Sequence, residues 1–358
     1  MNKLDKYIII NYIKSFFLGM MMFFLIFLLA ESINLTGWII DGKFTLKEAV
    51  KYLLYGIPEI ITNTAPLGIL LGSLLCISKM AKQLEIAAMK TSGISFFRIA
   101  LFPLIFSFLV GVSVLWINFD VLGKANTRKS NMKLLKLEQS EPVRSEKEFV
   151  LVKADKNTIL YGGYVNKKEG IIKDVEIIKL KEDFKGINKI YTASLARLNA
   201  KTNEWTFEKL KEHDGEKNST REIDTKTFKF IMPIDDILAD PVVAKNLTIP
   251  QLREKIVYFT RVGADSRELM IDFYYRISFA LSSFVMCFIG LSLGSRYVRG
   301  GAAVNIGLSV IIGYSYYGLS TILKSIASSG TMPIYLACFM PVLIYLGIGI
   351  RLFMNAEY

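Results

Sequence analysis

The stretch "SKMAKQLEIAAMKTSGIS", Ser78 to Ser95, carries Lys79, Lys82 and Lys90 with a single acid, Glu85, and lies between two long apolar runs. A connection between neighbouring spans needs only a few residues. This one is long enough for a short helix, and Ser92-Gly93 marks its stop, because glycine takes the left-handed turn that ends helices. Basic residues collect in the cytoplasmic loops of membrane proteins. The stretch therefore sets both the fold class and the expected direction of the chain through a bilayer.

Working outward, a span needs about 20 mostly apolar residues. Six such runs are expected, at about 15–39, 53–77, 99–119, 273–293, 302–323 and 333–353. The first reads as a span rather than a cleaved leader, since no small-residue cleavage site follows it. Lys3, Lys6 and Lys14 precede span one. Lys79, Lys82, Lys90 and Arg98 join spans two and three, Arg296 and Arg299 join spans four and five, and Arg351 ends span six. A six-span path puts all four groups on one side, which the charge rule makes cytoplasmic. Both termini are then expected inside. The chain divides as 1–119 (spans one to three, with a cytoplasmic helix near 79–93), 120–272 (an outer domain) and 273–358 (spans four to six).

The chain has 358 residues, is 52% hydrophobic and carries a net charge of +12. That basicity follows from membrane topology, and no nucleic-acid motif accompanies it, so no nucleic-acid partner is expected. Cys76, Cys287 and Cys338 all fall in apolar runs without CxxC spacing, and the lone His213 sits in "KEHDGEKNS". No metal site or catalytic residue is expected from these. Neither G-x-x-x-x-G-K-[ST] nor G-x-S-x-G nor H-E-x-x-H occurs.

The middle segment opens with "GKANTRKSNMKLLKLEQSE", a helical extension of span three. After Pro142 come short β-rich runs, "EFVLVK", "TILYGGYV", "VEIIKLK", "KIYTASLARLN", "EWTFEKL" and "TKTFKFIM", bounded by turn residues. Alternation in some of them is only partial. Consecutive strands without helices argue an all-β sandwich or open barrel. "TIPQLREKIVYFTR" then reads as a helix capped by Thr248 with Gln251 three residues on.

"LDKYI" at Leu4, "GIPEIITNTAPLGILLGSLL" in span two, "LEIAAMKTSGIS" after it and "YYRISFALS" opening span four, in this order, resemble the LptF/LptG family of lipopolysaccharide export permeases over essentially the whole chain. "LDKYI" is more similar to LptG, whereas "IPE" is closer to LptF. The resemblance implies a six-transmembrane-helix fold with a periplasmic β-jellyroll-like domain between helices three and four, in a bacterial inner membrane. It implies a non-enzymatic subunit that binds no cofactor itself. ATP and Mg would act through a cytoplasmic LptB-like ATPase dimer. The other implied partners are an LptF-like six-span permease, a single-span LptC-like protein and lipopolysaccharide.

Glu85, Met89, Ser92 and Gly93 match the family's pattern for a helix that couples to the ATPase. Ile86 and Met89 are expected as apolar knobs for a groove and Glu85 as a charge for a basic partner residue. The competing reading is a helix lying in the lipid headgroups.

Ionisable residues near the outer ends of spans are candidates for a lipid cavity: Glu31, Glu59, Arg276 and Lys324. Arg276 is expected to meet a lipid phosphate, Glu31 or Glu59, and Lys324 to snorkel. Glu31 departs from the family, whose first spans carry lysines here. The basic contacts then fall to Lys43, Lys47 and Lys51, or to the paired subunit. Gly307, Gly313 and Gly318 in "NIGLSVIIGYSYYGLST" would allow the close, separable contact of the lateral gate that the family forms from spans one and five. Phe149, Leu151, Ile177, Tyr191, Trp205, Phe207, Phe228 and Phe230 are candidates to line an acyl-chain path, and equally candidates for ordinary core. A different class of function, an ion-coupled secondary transporter with Glu31 and Glu59 as proton carriers, remains the alternative.

Overall fold

The computed structural model describes residues 3–138, 146–167, 169–182, 186–199, 204–215, 219–228, 243–296 and 301–357. Pro142, Phe230 and Arg299 lie outside the described residues. The chain forms two compact units. The first comprises Met1–Met132, Ala244–Arg253 and Arg267–Tyr358, and the second Lys133–Val243 and Glu254–Ser266.

The first unit is helical. Its helices are α1 (Lys3–Ile40), α2 (Leu46–Lys82), the short α3 (Glu85–Thr91), α4 (Phe96–Trp116), α5 (Leu122–Lys133), which continues α4 through a π-helical turn at Ile117–Val121, α7 (Arg267–Arg296), α8 (Ala302–Ser328) and α9 (Ile334–Glu357). Helix α6 (Ile249–Val262) precedes α7. Among the described residues, six helices are long and apolar enough to cross a membrane. They coincide with the six expected runs and extend past them by polar turns. Thr45 shows how such an end is closed. Its side chain accepts from the Glu48 amide, and Glu48 Oε2 accepts from the Thr45 amide at 2.9 Å, so two otherwise unpaired donors are satisfied. Thr248 and Gln251 form the same reciprocal cap on α6.

Helix α2 is the hub. Of its apolar window 83% is buried, against 17% for α1. Two G-x-x-x-G runs explain how closely it is packed. A Cβ on Gly72 would strike the backbone of Phe16 in α1, and one on Gly290 of α7 would strike Ser73 and the Leu70 carbonyl. Small residues let helix backbones approach where lipid offers no hydrophobic drive to associate. The seam is also tied by polar contacts. Tyr12 Oη lies 3.1 Å from Ser73 Oγ and 3.3 Å from Cys287 Sγ, and Ser78 donates to Asn305 Oδ1 at 3.3 Å.

The second unit is all-β among its strands. Strands β1 (Glu146–Asp155), β2 (Thr158–Asn166), β3 (Ile171–Leu180), β4 (Ile187–Asn199), β5 (Glu204–Asp214) and β6 (Ser219–Phe228) pair antiparallel in sequence order. One row of residues interrupts this sheet from edge to edge. The ladders skip Phe149, Gly163, Asp174, Ser194, Lys209 and Asp224, while the register on either side of the row is unchanged. On alternate strands the skipped residue has a left-handed backbone: Phe149 φ 53°, Asp174 φ 50°, Lys209 φ 53°. Across the row the inward phase shifts by one. Leu160 and Gly162 face in before it and Val165 after; Ile172 is followed by Val175 and Ile177; Trp205 and Phe207 are followed by Leu210.

The crease folds the sheet upon itself. Tyr191 pairs through Glu212 with Arg221, and a flat strand would place Phe228 about 23 Å further along at ~3.3 Å per residue. The Tyr191 and Phe228 rings are instead 5.1 Å apart. Residues from both halves, Val175, Ile177 and Leu210 with Ile172, Trp205 and Phe207, form one core. One meander thus makes the sandwich-like body expected from the strand pattern. It also explains the partial alternation, since a phase change reads as broken periodicity. Phe149 and Leu151 are exposed, at 75% and 68%, whereas Ile177, Tyr191, Trp205, Phe207 and Phe228 are buried.

Candidate functional site

Two places in the helical unit gather the predicted residues. The first is α3. Helix α2 runs on to Lys82, so the connecting helix is shorter than 79–93 and starts at Glu85 after a left-handed Leu84. Gly93 takes φ +80° and ends the turn, as expected. Glu85 Oε1 accepts from the Tyr7 hydroxyl at 2.8 Å, and its buried Oε2 has no hydrogen-bond partner among the described residues. Lys90 Nζ donates to the Ala356 carbonyl at 2.7 Å. The expectation that Ile86 and Met89 project as knobs is corrected. Both are buried in the chain's own core beside Met80, Phe96 and Phe353. They anchor α3, and its exposed face is Ala87, Ala88 and Thr91, flanked by exposed Leu84, Ser92 and Gly93. Apolar residues spaced i, i+3 share one helix face, and here that face is claimed from within.

The second place lies toward the other ends of α1 and α2. Lys129 of α5 bridges Glu31 at 2.7 Å and Glu59 at 3.8 Å, with its ammonium 5.1 Å from the Tyr52 ring centroid. Lys129 escaped the sequence reading, because nothing in "GKANTRKSNMK" distinguishes it from its basic neighbours. Beside it is a cavity of about 340 Å³, lined by Glu59, Asn63, Asn118, Asn126, Arg276 and Lys324 among others. Tyr275, Tyr314 and Tyr317 give it aromatic walls, and the amide oxygen of Asn126 is buried without a hydrogen-bond partner.

Arg276 does not reach Glu31 or Glu59, a correction to its expected pairing. It is 4% exposed, pairs with Asp272 at 2.7 Å, and donates to the carbonyls of Leu247, Ala244 and Lys245 at 2.8, 3.1 and 3.3 Å. Its planar fork of N–H groups suits donation to several carbonyls at once. Asn126 and Thr127 bind the carbonyls of Lys245 and Asn246 in the same segment, at 3.1 and 2.7 Å. Arg276 therefore pins the return of the chain into α7 while one edge of it lines the cavity. Lys324 lines the cavity, with its ammonium 3.7 Å from the Tyr275 ring centroid.

Lys43, Lys47 and Lys51 are exposed around the α1–α2 loop and do not line this cavity. Lys43 faces Asp41 at 3.7 Å and Lys51 lies 5.9 Å from the Tyr55 ring centroid. Gly313 packs toward Leu67 of α2, while Gly307 and Gly318 face open space. The structure thus does not bring the three glycines onto one contact. The cysteines are buried and free, and His213 Nδ1 lies 3.2 Å from Thr220 Oγ1.

Six long apolar helices with a β domain inserted between the third and fourth define an integral membrane protein, with a partly charged cavity among its helix ends. The family model of the lipopolysaccharide export system permease LptF/LptG matches residues 6–355, and the chain belongs to that family. No curated protein gives a significant match.

Proposed function

We propose that the chain is an LptG-like permease subunit that draws lipopolysaccharide from the outer leaflet of the inner membrane and passes it to a periplasmic β bridge, driven by ATP hydrolysis in a partner. Both termini and α3 would be cytoplasmic and the sheet periplasmic. An LptB-like ATPase dimer would bind ATP and Mg; this chain would bind neither. An LptF-like permease and a single-span LptC-like protein would complete the assembly.

The observation that carries the coupling role is α3 itself. Ile86 and Met89 lock it to the helical core, and Glu85 is held by Tyr7 with one carboxylate oxygen still unpartnered. A short rigid helix of this kind transmits displacement, whereas a mobile loop would absorb it. In the ion-coupled alternative, Glu31 and Glu59 carry protons. Their shared contact with Lys129 speaks against it, because both carboxylates are committed to one ion-paired group that ties three helices together. The test is co-purification of the ATPase in detergent with wild type, Glu85→Ala and Glu85→Lys, with folding checked by thermal stability. Capture by wild type and loss on charge reversal is expected. A wild-type chain that captures no ATPase under complex-preserving conditions would remove the proposed engine.

A further inference from the structure

Both junctions of α3 with its neighbours in the chain are abrupt. Leu84, between α2 and α3, has a left-handed backbone at φ 60°, and Gly93, between α3 and α4, lies at φ +80°. Neither neighbouring helix runs on into α3, so its pose is set by what it touches. Ile86 and Met89 hold it to the core. Two polar contacts reach further. Tyr7 of α1 meets Glu85 on the exposed side. Lys90 instead donates to the Ala356 carbonyl of α9, 266 positions along the chain, through a partly buried bond of 2.7 Å.

A lysine at the end of a span ordinarily extends toward water or lipid headgroups. Lys90 is half-buried, with its ammonium 6.0 Å from the Phe96 ring centroid, and forms no ion pair among the described residues. Helix α9 ends at Glu357, so the Ala356 carbonyl has no amide of its own helix to accept from. A cation there also meets the negative end of the helix dipole. The end of α9 that Lys90 grips is itself firmly seated. Phe353, one turn earlier, is buried with its ring centroid 5.2 Å from that of Phe96 and 5.5 Å from that of Phe288 in α7. Gly349 lets α9 approach α7 closely, since a Cβ there would lie 3.0 Å from the Phe288 Cβ. The last turns of α9 are thus bound to α7, and Lys90 adds α3 to that body.

We propose that Lys90 is a positioning residue for energy coupling: by capping the end of α9 it makes α3 and α9 move together, so that thrust on α3 enters the bundle through the sixth span. This rests on the coupling role proposed for α3, and adds the path by which force leaves it.

Lys90→Met keeps the apolar stem and removes the donors, whereas Lys90→Arg keeps donors and charge. Complexes are purified through the full chain with wild type and each variant, and placed in nanodiscs of phosphatidylcholine alone or mixed with phosphatidylglycerol. Bound ATPase and ATP turnover are then measured. The Met variant should capture ATPase within about twofold of wild type while kcat for ATP falls roughly fivefold at unchanged KM, and the Arg variant should stay near wild type. Near-equal capture shows that the Met variant is folded. The defect should be the same in both lipids. A Met variant with wild-type turnover, or an Arg variant as slow as Met, would overturn the role of the carbonyl contact. Loss of capture in the Met variant would make Lys90 a direct ATPase contact and overturn it equally. So would a defect seen only with phosphatidylglycerol, which would assign Lys90 to lipid headgroups. If wild type itself captures no ATPase, it is the coupling reading of α3 that fails, and the inference goes with it.

Discussion

At the scale of single residues, the signs of the charges were legible and their partners were not. Glu31 stood out in the sequence because an acid replaced an expected base, but Lys129 neutralises it from a helix almost a hundred positions away in the chain. Arg276 drew attention as an ionisable residue near a span end, and it serves Asp272 and three backbone carbonyls. Tyr7 is the residue whose role only the structure reveals. Tyr7→Phe removes the hydroxyl that donates to Glu85, and since the contact is exposed the loss should stay under about tenfold in ATPase capture. Capture unchanged from wild type would show that Glu85 needs no positioning. Lys189 and Glu212 give a pH signature. Hydrogen bonding to Lys189 holds the Glu212 carboxyl below its ordinary range, and Glu212 in turn raises Lys189 above its own. The Glu212 contribution is complete above the ordinary carboxyl pKa and lost as pH falls through the depressed value. The Lys189 contribution is complete below the ordinary lysine pKa and lost as pH rises through the raised one. Thermal melts of the full chain against pH should show the acid limb of this loss diminish in Glu212→Gln.

At the scale of elements, the six spans were legible because a bilayer demands a run of apolar residues that no short soluble helix needs. The reciprocal cap at Thr248 and Gln251 was legible from local chemistry, whereas the helices run past the apolar runs by polar turns that hydropathy does not mark. The crease was not. A left-handed residue such as Asp174 or Lys209 leaves no mark in composition, and the one-residue phase shift looks like weak patterning. The sheet can be tested at that row. A β-branched residue is costly in left-handed backbone, by about 1–2 kcal/mol, and glycine is not. Asp174→Val should therefore lower the melting temperature of the β unit, and Asp174→Gly should leave it near wild type. Equal losses in both would mean that the Asp174 side chain, rather than its backbone, matters.

At the scale of the whole molecule, the helical unit is joined at one end by α3 packed on the core and at the other by the Glu31–Lys129–Glu59 group, which ties α1, α2 and the extension of α4. Removing a partner from a partly buried charge group is worse than removing the group. Lys129→Met is expected to lower thermal stability in detergent, and Glu31→Gln/Glu59→Gln added to it should recover most of the loss. If the triple variant is no better than the single, packing of the lysine stem accounts for the effect. The crease has a consequence for how this chain can vary in length. All six strands change inward phase on one row, so a single-residue insertion within any strand would leave that strand out of step with five others and turn its apolar residues outward on one side of the row. Length differences among natural variants should accordingly be confined to the hairpin turns, and any that fall within a strand should come in pairs.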